Sequence, residues 1–117
     1  MTHISERLRK IVVKRAANRC EYCGLSQEGQ EATFHVDHII TIVSGGETIL
    51  ENLALACVSC SLRKAARETG RDPISSEEVR LYHPRRDVWS KHFYWDGIYL
   101  VGLTSIGRAT AELLQMN

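Results

Sequence analysis

Four cysteines stand in two pairs of identical spacing, Cys20-x-x-Cys23 and Cys57-x-x-Cys60. Each pair can place both thiolates on one metal ion, and two pairs complete a tetrahedral set of four sulfur ligands. Because such a set leaves no open coordination position, we expect a structural zinc ion rather than a catalytic one. Two other interpretations remain: four buried free cysteines, or a single redox-active Cys-x-x-Cys pair.

A second group of chemically capable residues lies between the two cysteine pairs, in the run from Phe34 to Ile40. His38 carries an imidazole, which changes charge near neutral pH and is the usual general base of enzymes. Asp37 offers hard oxygen atoms that suit Mg²⁺ or Mn²⁺. Hydrolysis of a phosphodiester bond needs both a base for water and a divalent cation. An Asp-His pair on its own would be read as a surface hydrogen bond, so the flanking cysteines carry the interpretation.

The elements that must position these residues can be read from periodicity and from helix and turn signals. Apolar residues at helical spacing after Ser5, a plausible N-cap, predict a first helix. Around the cysteines the order is strand, loop, strand and helix, with Gly45-Gly46 breaking the chain. The predicted segments are a helix over 5–18, a strand over 33–38, an apolar strand over 53–56 and a helix over 59–68.

The C-terminal part of the chain predicts a loop, a hairpin and a helix. Residues 71–78 have the composition of a linker-like loop, and a short helix is expected over 85–91. Asp96-Gly97 is the residue pair of a two-residue hairpin turn. That turn would place Trp95 opposite Ile98 and Phe93 opposite Leu100. Thr104 is positioned to cap a last helix.

Over residues 19–65 the motifs occur together in the order of a known family. Cys20-x-x-Cys23, Asp37-His38-Ile39, Gly45-Gly46, Asn52-Leu53 and Cys57-x-x-Cys60 resemble the HNH endonucleases, which have the ββα-metal fold. The resemblance implies a ββα-metal centre stapled by a Cys₄ zinc site. Together with the predicted N-terminal helix and the predicted C-terminal hairpin and helix, it makes the expected fold class α+β. It also implies that His38 is the general base, that Asp37 binds the catalytic metal and that Asn52 orients His38.

The tail is similar to an extension carried by a bacterial HNH subgroup. The shared residues are His83-Pro84-Arg85-Arg86-Asp87, His92-Phe93 and Gly107-Arg108-Ala109-Thr110. We therefore expect a single domain over residues 1–117, with a zinc-bracketed core at 19–68 and a hairpin-helix extension at 79–117.

Ser61 departs from the family pattern. The residue directly after the last cysteine is usually Asn or His in that family and binds the catalytic metal, whereas a serine hydroxyl is a shorter and weaker neutral ligand. On a strand, His35 and Asp37 point to the same face, so His35 is a candidate replacement ligand. The alternative is that His35 is simply a partly exposed strand histidine.

Charge is unevenly distributed although the net charge is only +1. The segment between Cys20 and Cys60 contains no Lys or Arg, while the segments on both sides are basic. Arg63, Lys64 and Arg67 on the predicted helix would contact DNA phosphates. Such contacts position a protein on DNA without reading the base sequence. The plainer interpretation is that the basic segments are solvated helix faces.

These observations predict a metal-dependent endonuclease that hydrolyses phosphodiester bonds of DNA, most naturally double-stranded. The alternative is a zinc-folded DNA-binding module whose catalytic site is weakened by Ser61. No apolar run reaches the roughly 18 residues of a membrane span. The polar N-terminus lacks the apolar core of a secretory signal, so a cytoplasmic location is expected.

Overall fold

The computed structural model describes residues 4–117 and divides the chain into two compact units, residues 1–62 and 63–117. The elements are helices and short antiparallel strands, which confirms the predicted α+β class. Among the described residues, no helix is both long and apolar enough to cross a membrane.

The first unit opens with helix α1, Glu6–Arg15. The Ser5 hydroxyl accepts a hydrogen bond from Leu8 N at 3.2 Å, which confirms the predicted cap. The helix ends before the predicted Asn18 because Ala17 and Asn18 adopt positive φ values of 53° and 58°. Arg15, in the last turn, donates to the carbonyl oxygens of Leu50 and Leu53 and so ties α1 to the second strand.

An antiparallel hairpin is the centre of this unit. Strand β1, His35–His38, pairs with β2, Leu53–Ala56, and His38 lies opposite Leu53. All of β2 is buried, as its apolar sequence predicts, while Val36 is the one buried residue of β1 and its three polar residues are half-buried. Strand β1 begins two residues later than predicted. Two 3₁₀ turns, Ile42–Ser44 and Leu50–Asn52, lie in the connection between the strands.

Helix α2, Val58–Lys64, follows β2 directly. It is shorter than the predicted 59–68 helix because Ala65 has a φ of 47°, a left-handed conformation that ends a right-handed helix. The boundary between the two units falls within this helix.

The second unit contains a hairpin that the sequence did not predict. Strands β3, Thr69–Arg71, and β4, Glu78–Arg80, pair on either side of the segment that was predicted to be a loop. Asp72 organises the connection, since its carboxylate accepts from Ile74 N at 3.1 Å and from the Ser75 hydroxyl at 2.8 Å. Three-residue strands of mixed polarity leave no alternation to detect.

Helix α3, Trp89–His92, leads into the predicted hairpin of β5, Phe93–Asp96, and β6, Tyr99–Gly102. The helix is shorter than the predicted 85–91 and begins four residues later. The predicted register was wrong: Trp95 pairs with Leu100 and Phe93 pairs with Gly102. The two residues between the strands are therefore Gly97 and Ile98 rather than Asp96 and Gly97.

Helix α4, Ser105–Leu114, completes the second unit. Thr104 caps it as predicted, accepting from Gly107 N at 3.0 Å. Strand β6 lies close against α4, because a Cβ added at Gly102 would lie 2.5 Å from Arg108 N. The glycine lets the helix approach the strand this closely, since it has no side chain to meet the helix backbone.

Candidate metal centre and active site

The sulfur atoms of Cys20, Cys23, Cys57 and Cys60 lie within 4.8 Å of one another. Three of the side chains are buried and Cys23 is half-buried. Within each pair the backbone N–H of the second cysteine donates to the sulfur of the first, at 3.4 Å in both cases. Four clustered sulfurs with N–H donors are the chemistry of a structural zinc site, and the residues fit that ion.

Contacts among the sulfurs bias two of the thiols toward the thiolate form that binds zinc. Hydrogen bonding with Cys23 lowers the pKa of Cys20 to about 7. Hydrogen bonding with Cys20 holds the pKa of Cys57 well below its ordinary value. Hydrogen bonding with Cys20 raises the pKa values of Cys23 and Cys60.

Strand β2 positions both cysteine pairs. Cys57 follows the strand directly, and the first pair is held against its middle by Glu21. The backbone N–H of Glu21 donates to Leu55 O at 2.8 Å, and its carboxylate accepts from Leu55 N at 3.0 Å. The buried apolar strand therefore sets the distance between two cysteine pairs that are far apart in sequence.

His38 ends β1 and is half-buried. Its Nε2 lies 2.9 Å from the hydroxyl oxygen of Thr48. Sequence reasoning identified His38 but missed Thr48, because a threonine in a polar loop carries no signal of its own. Only the folded connection brings the two side chains together.

Asn52 is buried, 8% exposed, and its amide holds the connection between β1 and β2. It donates to the carbonyl oxygens of Ile40 and Glu47 and accepts from Ile40 N, all at 2.9 Å. These bonds hold the loop, and the role of Asn52 in orienting His38 stays a prediction. The role of Gly46 is also clear, since a Cβ there would lie 1.8 Å from Ile40 O and 2.7 Å from the Asn52 amide nitrogen.

The structure brings Ser61 to His35: the serine hydroxyl lies 2.8 Å from Nδ1 of the histidine. His35 and Asp37 are both half-buried on the face of β1 opposite the buried Val36. Among residues 4–117, the cysteines are the only grouping of three or more His, Cys, Asp or Glu side chains close enough to share an ion.

The three basic residues expected at DNA differ in exposure. Arg63 and Lys64 form the last turn of α2, and Arg67 follows it. Arg63 and Arg67 are exposed, whereas Lys64 is buried, 5% exposed.

Several residues of the C-terminal motif make internal contacts of the second unit. Asp87 accepts two hydrogen bonds from Arg80, at 2.7 and 2.9 Å, and these lower its pKa to about 2. Arg108 makes two bonds of 2.8 Å to the buried Asp72. Thr110 accepts from Tyr82 N at 2.9 Å. In these positions the motif holds the unit together.

One family, described as HNH endonuclease, matches residues 20–67. That segment contains the four cysteines, β1, the Asn52 loop and α2, while residues 68–117 lie outside the match. Searches of curated proteins and of solved structures gave no significant match. The matched segment thus supports nuclease chemistry, and the resemblance of the tail to a bacterial subgroup stays a prediction.

Proposed function

We propose that this chain is a metal-dependent endonuclease that hydrolyses DNA phosphodiester bonds, with His38 as the general base. One observation carries the proposal: inside the segment that matches HNH endonuclease, the ring of His38 is hydrogen-bonded to a loop that Asn52 pins. A base that is already held in one orientation lowers the activation free energy of the reaction, because it does not have to be aligned after the substrate binds.

In this mechanism His38 accepts a proton from a water molecule, and the resulting hydroxide attacks phosphorus in line with the 3′ oxygen. The bond between phosphorus and the 3′ oxygen breaks, and that oxygen leaves with a proton from solvent. Half-burial of His38 leaves the ring accessible to a phosphate and its water. The carboxamide of Asn52 is buried, and its hydrogen bonds to Ile40 and Glu47 hold the loop that carries Thr48.

Asp37 and His35 are the proposed residues for holding Mg²⁺ or Mn²⁺. When bound, such an ion supplies positive charge that stabilises the negative charge developing on the phosphate and on the leaving oxygen. A single carboxylate fits, because Mg²⁺ in proteins is commonly held by one or two carboxylates together with substrate phosphates and water. Ser61 is a weaker candidate ligand, since its hydroxyl is already hydrogen-bonded to His35.

Arg63 and Arg67 are the proposed contacts for the DNA backbone. Both side chains are exposed, and guanidinium groups bind phosphate through two parallel hydrogen bonds. Such contacts would be weakened by salt and would not select a sequence. Lys64 stays a predicted contact, although its burial makes it less available than its neighbours.

A DNA-binding module with a weakened catalytic site is the second candidate. The bond between Ser61 and His35 favours it, because a side chain at the usual metal-ligand position is occupied by another protein group. This candidate predicts salt-dependent binding to DNA without cleavage.

A plasmid-nicking assay separates the two candidates. Supercoiled duplex, circular single-stranded DNA and RNA would each be incubated with Mg²⁺, Mn²⁺ or EDTA. Nicking of the duplex that needs the cation, disappears in His38→Ala and persists in His83→Ala supports the endonuclease. His83 is a suitable control because it is a half-buried histidine of the other unit.

The result that would overturn the endonuclease proposal is DNA binding without cleavage by the natural sequence. Cleavage that then appears in Ser61→Asn would identify the serine as the cause and favour the binding module.

A further inference from the structure

The two ring nitrogens of His38 have different surroundings. Nε2 lies 2.9 Å from the Thr48 hydroxyl, within hydrogen-bonding distance. A neutral imidazole carries its proton on one nitrogen and a lone pair on the other, so this contact has two forms. Either Nε2 donates to Thr48, or the Thr48 hydroxyl donates to Nε2.

Only one of these forms leaves a base. If the Thr48 hydroxyl donates to Nε2, the ring proton is on Nδ1, and neither nitrogen can accept a proton from water. If Nε2–H donates to Thr48 Oγ1, the lone pair of Nδ1 is free. The general-base role therefore requires the second form.

Hydrogen bonds to the backbone hold the residues next to His38 and Thr48, so the contact between these two side chains is fixed by the fold of the loop. The Asn52 amide donates to the carbonyl oxygen of Glu47, the residue directly before Thr48, at 2.9 Å. The backbone carbonyl of Asn52 accepts from Ile39 N, directly after His38, at 2.8 Å. One buried residue thus fixes the backbone on both sides of the contact, and Asn52 acts on His38 through these neighbours.

We propose that Thr48 is a positioning residue, whose Oγ1 accepts a hydrogen bond from Nε2–H of His38 and so keeps Nδ1 unprotonated toward the attacking water. The inference rests on the proposed function, because it assigns the atom of His38 that performs the base step. The position of the proton on the His38 ring does not depend on bound substrate or cation, so it can be measured in the free protein.

Two variants isolate the hydroxyl. Thr48→Val keeps the branched shape and removes only the hydrogen-bonding atom, while Thr48→Ser keeps the hydroxyl and removes a methyl group. We expect Thr48→Val to lower kcat on the order of 10-fold to 100-fold, with KM little changed. Thr48→Ser should recover most of kcat, a rescue that a purely structural role of the threonine methyl would not give.

Nitrogen NMR of the ¹⁵N-labelled full chain, recorded at a pH where neutral imidazole predominates, shows which ring nitrogen carries the proton. The signals of His38 are identified by their loss in His38→Ala. In the natural protein and in Thr48→Ser the proton should be on Nε2, and Thr48→Val should contain a substantial population with the proton on Nδ1.

The two measurements distinguish failure of the inference from failure of the proposed function. A proton on Nδ1 in the natural protein, or an unchanged proton position in Thr48→Val, overturns the inference even if DNA is cleaved. An inactive natural protein with the expected proton positions overturns the nuclease proposal alone, because the role of Thr48 in fixing the ring would still stand.

Discussion

Nδ1 of His35 and the hydroxyl of Ser61 are 2.8 Å apart, so the residue at the usual metal-ligand position touches a histidine of β1. The contact occupies Nδ1 and leaves Nε2 of His35 as the nitrogen available to a cation. If His35 binds the cation, the Ser61 hydroxyl takes the place of the hydrogen-bond partner that the second nitrogen of a metal-binding imidazole usually has.

Substitutions at these two residues should therefore affect the cation more than the DNA. His35→Ala should raise the Mn²⁺ concentration needed for half-maximal nicking by roughly 10-fold to 100-fold, and Ser61→Ala should raise it less. Nicking rates measured over a Mn²⁺ titration check this. Thr33→Ala is the control, since Thr33 is exposed just before the strand. Equal cation dependence in all four proteins would exclude His35 as a ligand.

Zinc removal should unfold the first unit. The chain has four cysteines, all in the cluster, and a structural zinc site contributes on the order of 10–16 kcal/mol of apparent binding free energy. We expect one zinc per chain by elemental analysis, and loss of zinc and of helical circular dichroism in Cys57→Ser. Ser59→Ala should retain both, because Ser59 is exposed within the same Cys-x-x-Cys segment. A folded, zinc-free natural protein would contradict the assignment.

Local signals predicted the parts of the fold that depend on neighbours in sequence. The caps at Ser5 and Thr104 are satisfied by atoms three residues away, and the apolar run of β2 is buried as read. The spacing of the cysteines predicted that the four sulfurs would cluster, because two Cys-x-x-Cys pairs together supply the four ligands of one tetrahedral metal site. His35 and Asp37 share a face of β1, as strand alternation requires.

Features set by distant contacts could not be predicted. The β5–β6 register departs from the local preference of Asp96-Gly97 for a turn, and nothing within the two strands signals that departure. The β3–β4 hairpin depends on Asp72, whose partner Arg108 is 36 residues away. Thr48 was missed for the same reason, since its partner His38 lies across a folded loop.

Gly46→Ala should damage the candidate active site through the Asn52 loop. The added Cβ would meet Ile40 O and the Asn52 amide nitrogen, so the hydrogen bonds that pin the loop must break or shift. We expect a loss of at least about 3 kcal/mol in unfolding free energy together with most of the nicking activity. Gly29→Ala is the control: its Cβ meets open space at a φ of +83°, so it should cost only about 1–2 kcal/mol and leave activity intact. Chemical denaturation of both variants measures their unfolding free energies. Equal losses in Gly46→Ala and Gly29→Ala would contradict the prediction.

The pairing of Asp72 with Arg108 should make the second unit sensitive to acid. Asp72 is fully buried, and hydrogen bonds from Arg108 hold its pKa well below the ordinary value. Since the folded pKa is the lower one, the stabilisation is complete above about pH 5 and is lost as the pH falls toward the folded pKa. Asp72→Asn lacks this contribution at every pH. Its melting temperature should therefore lie furthest below that of the natural protein near neutral pH, and the gap should narrow below about pH 5.

Asp96→Asn, which changes an exposed carboxylate of β5, should melt close to the natural protein throughout. Thermal melts followed by circular dichroism between pH 7 and pH 2.5 test the sign, and a gap that stayed constant or widened in acid would show that the ion pair does not stabilise this unit.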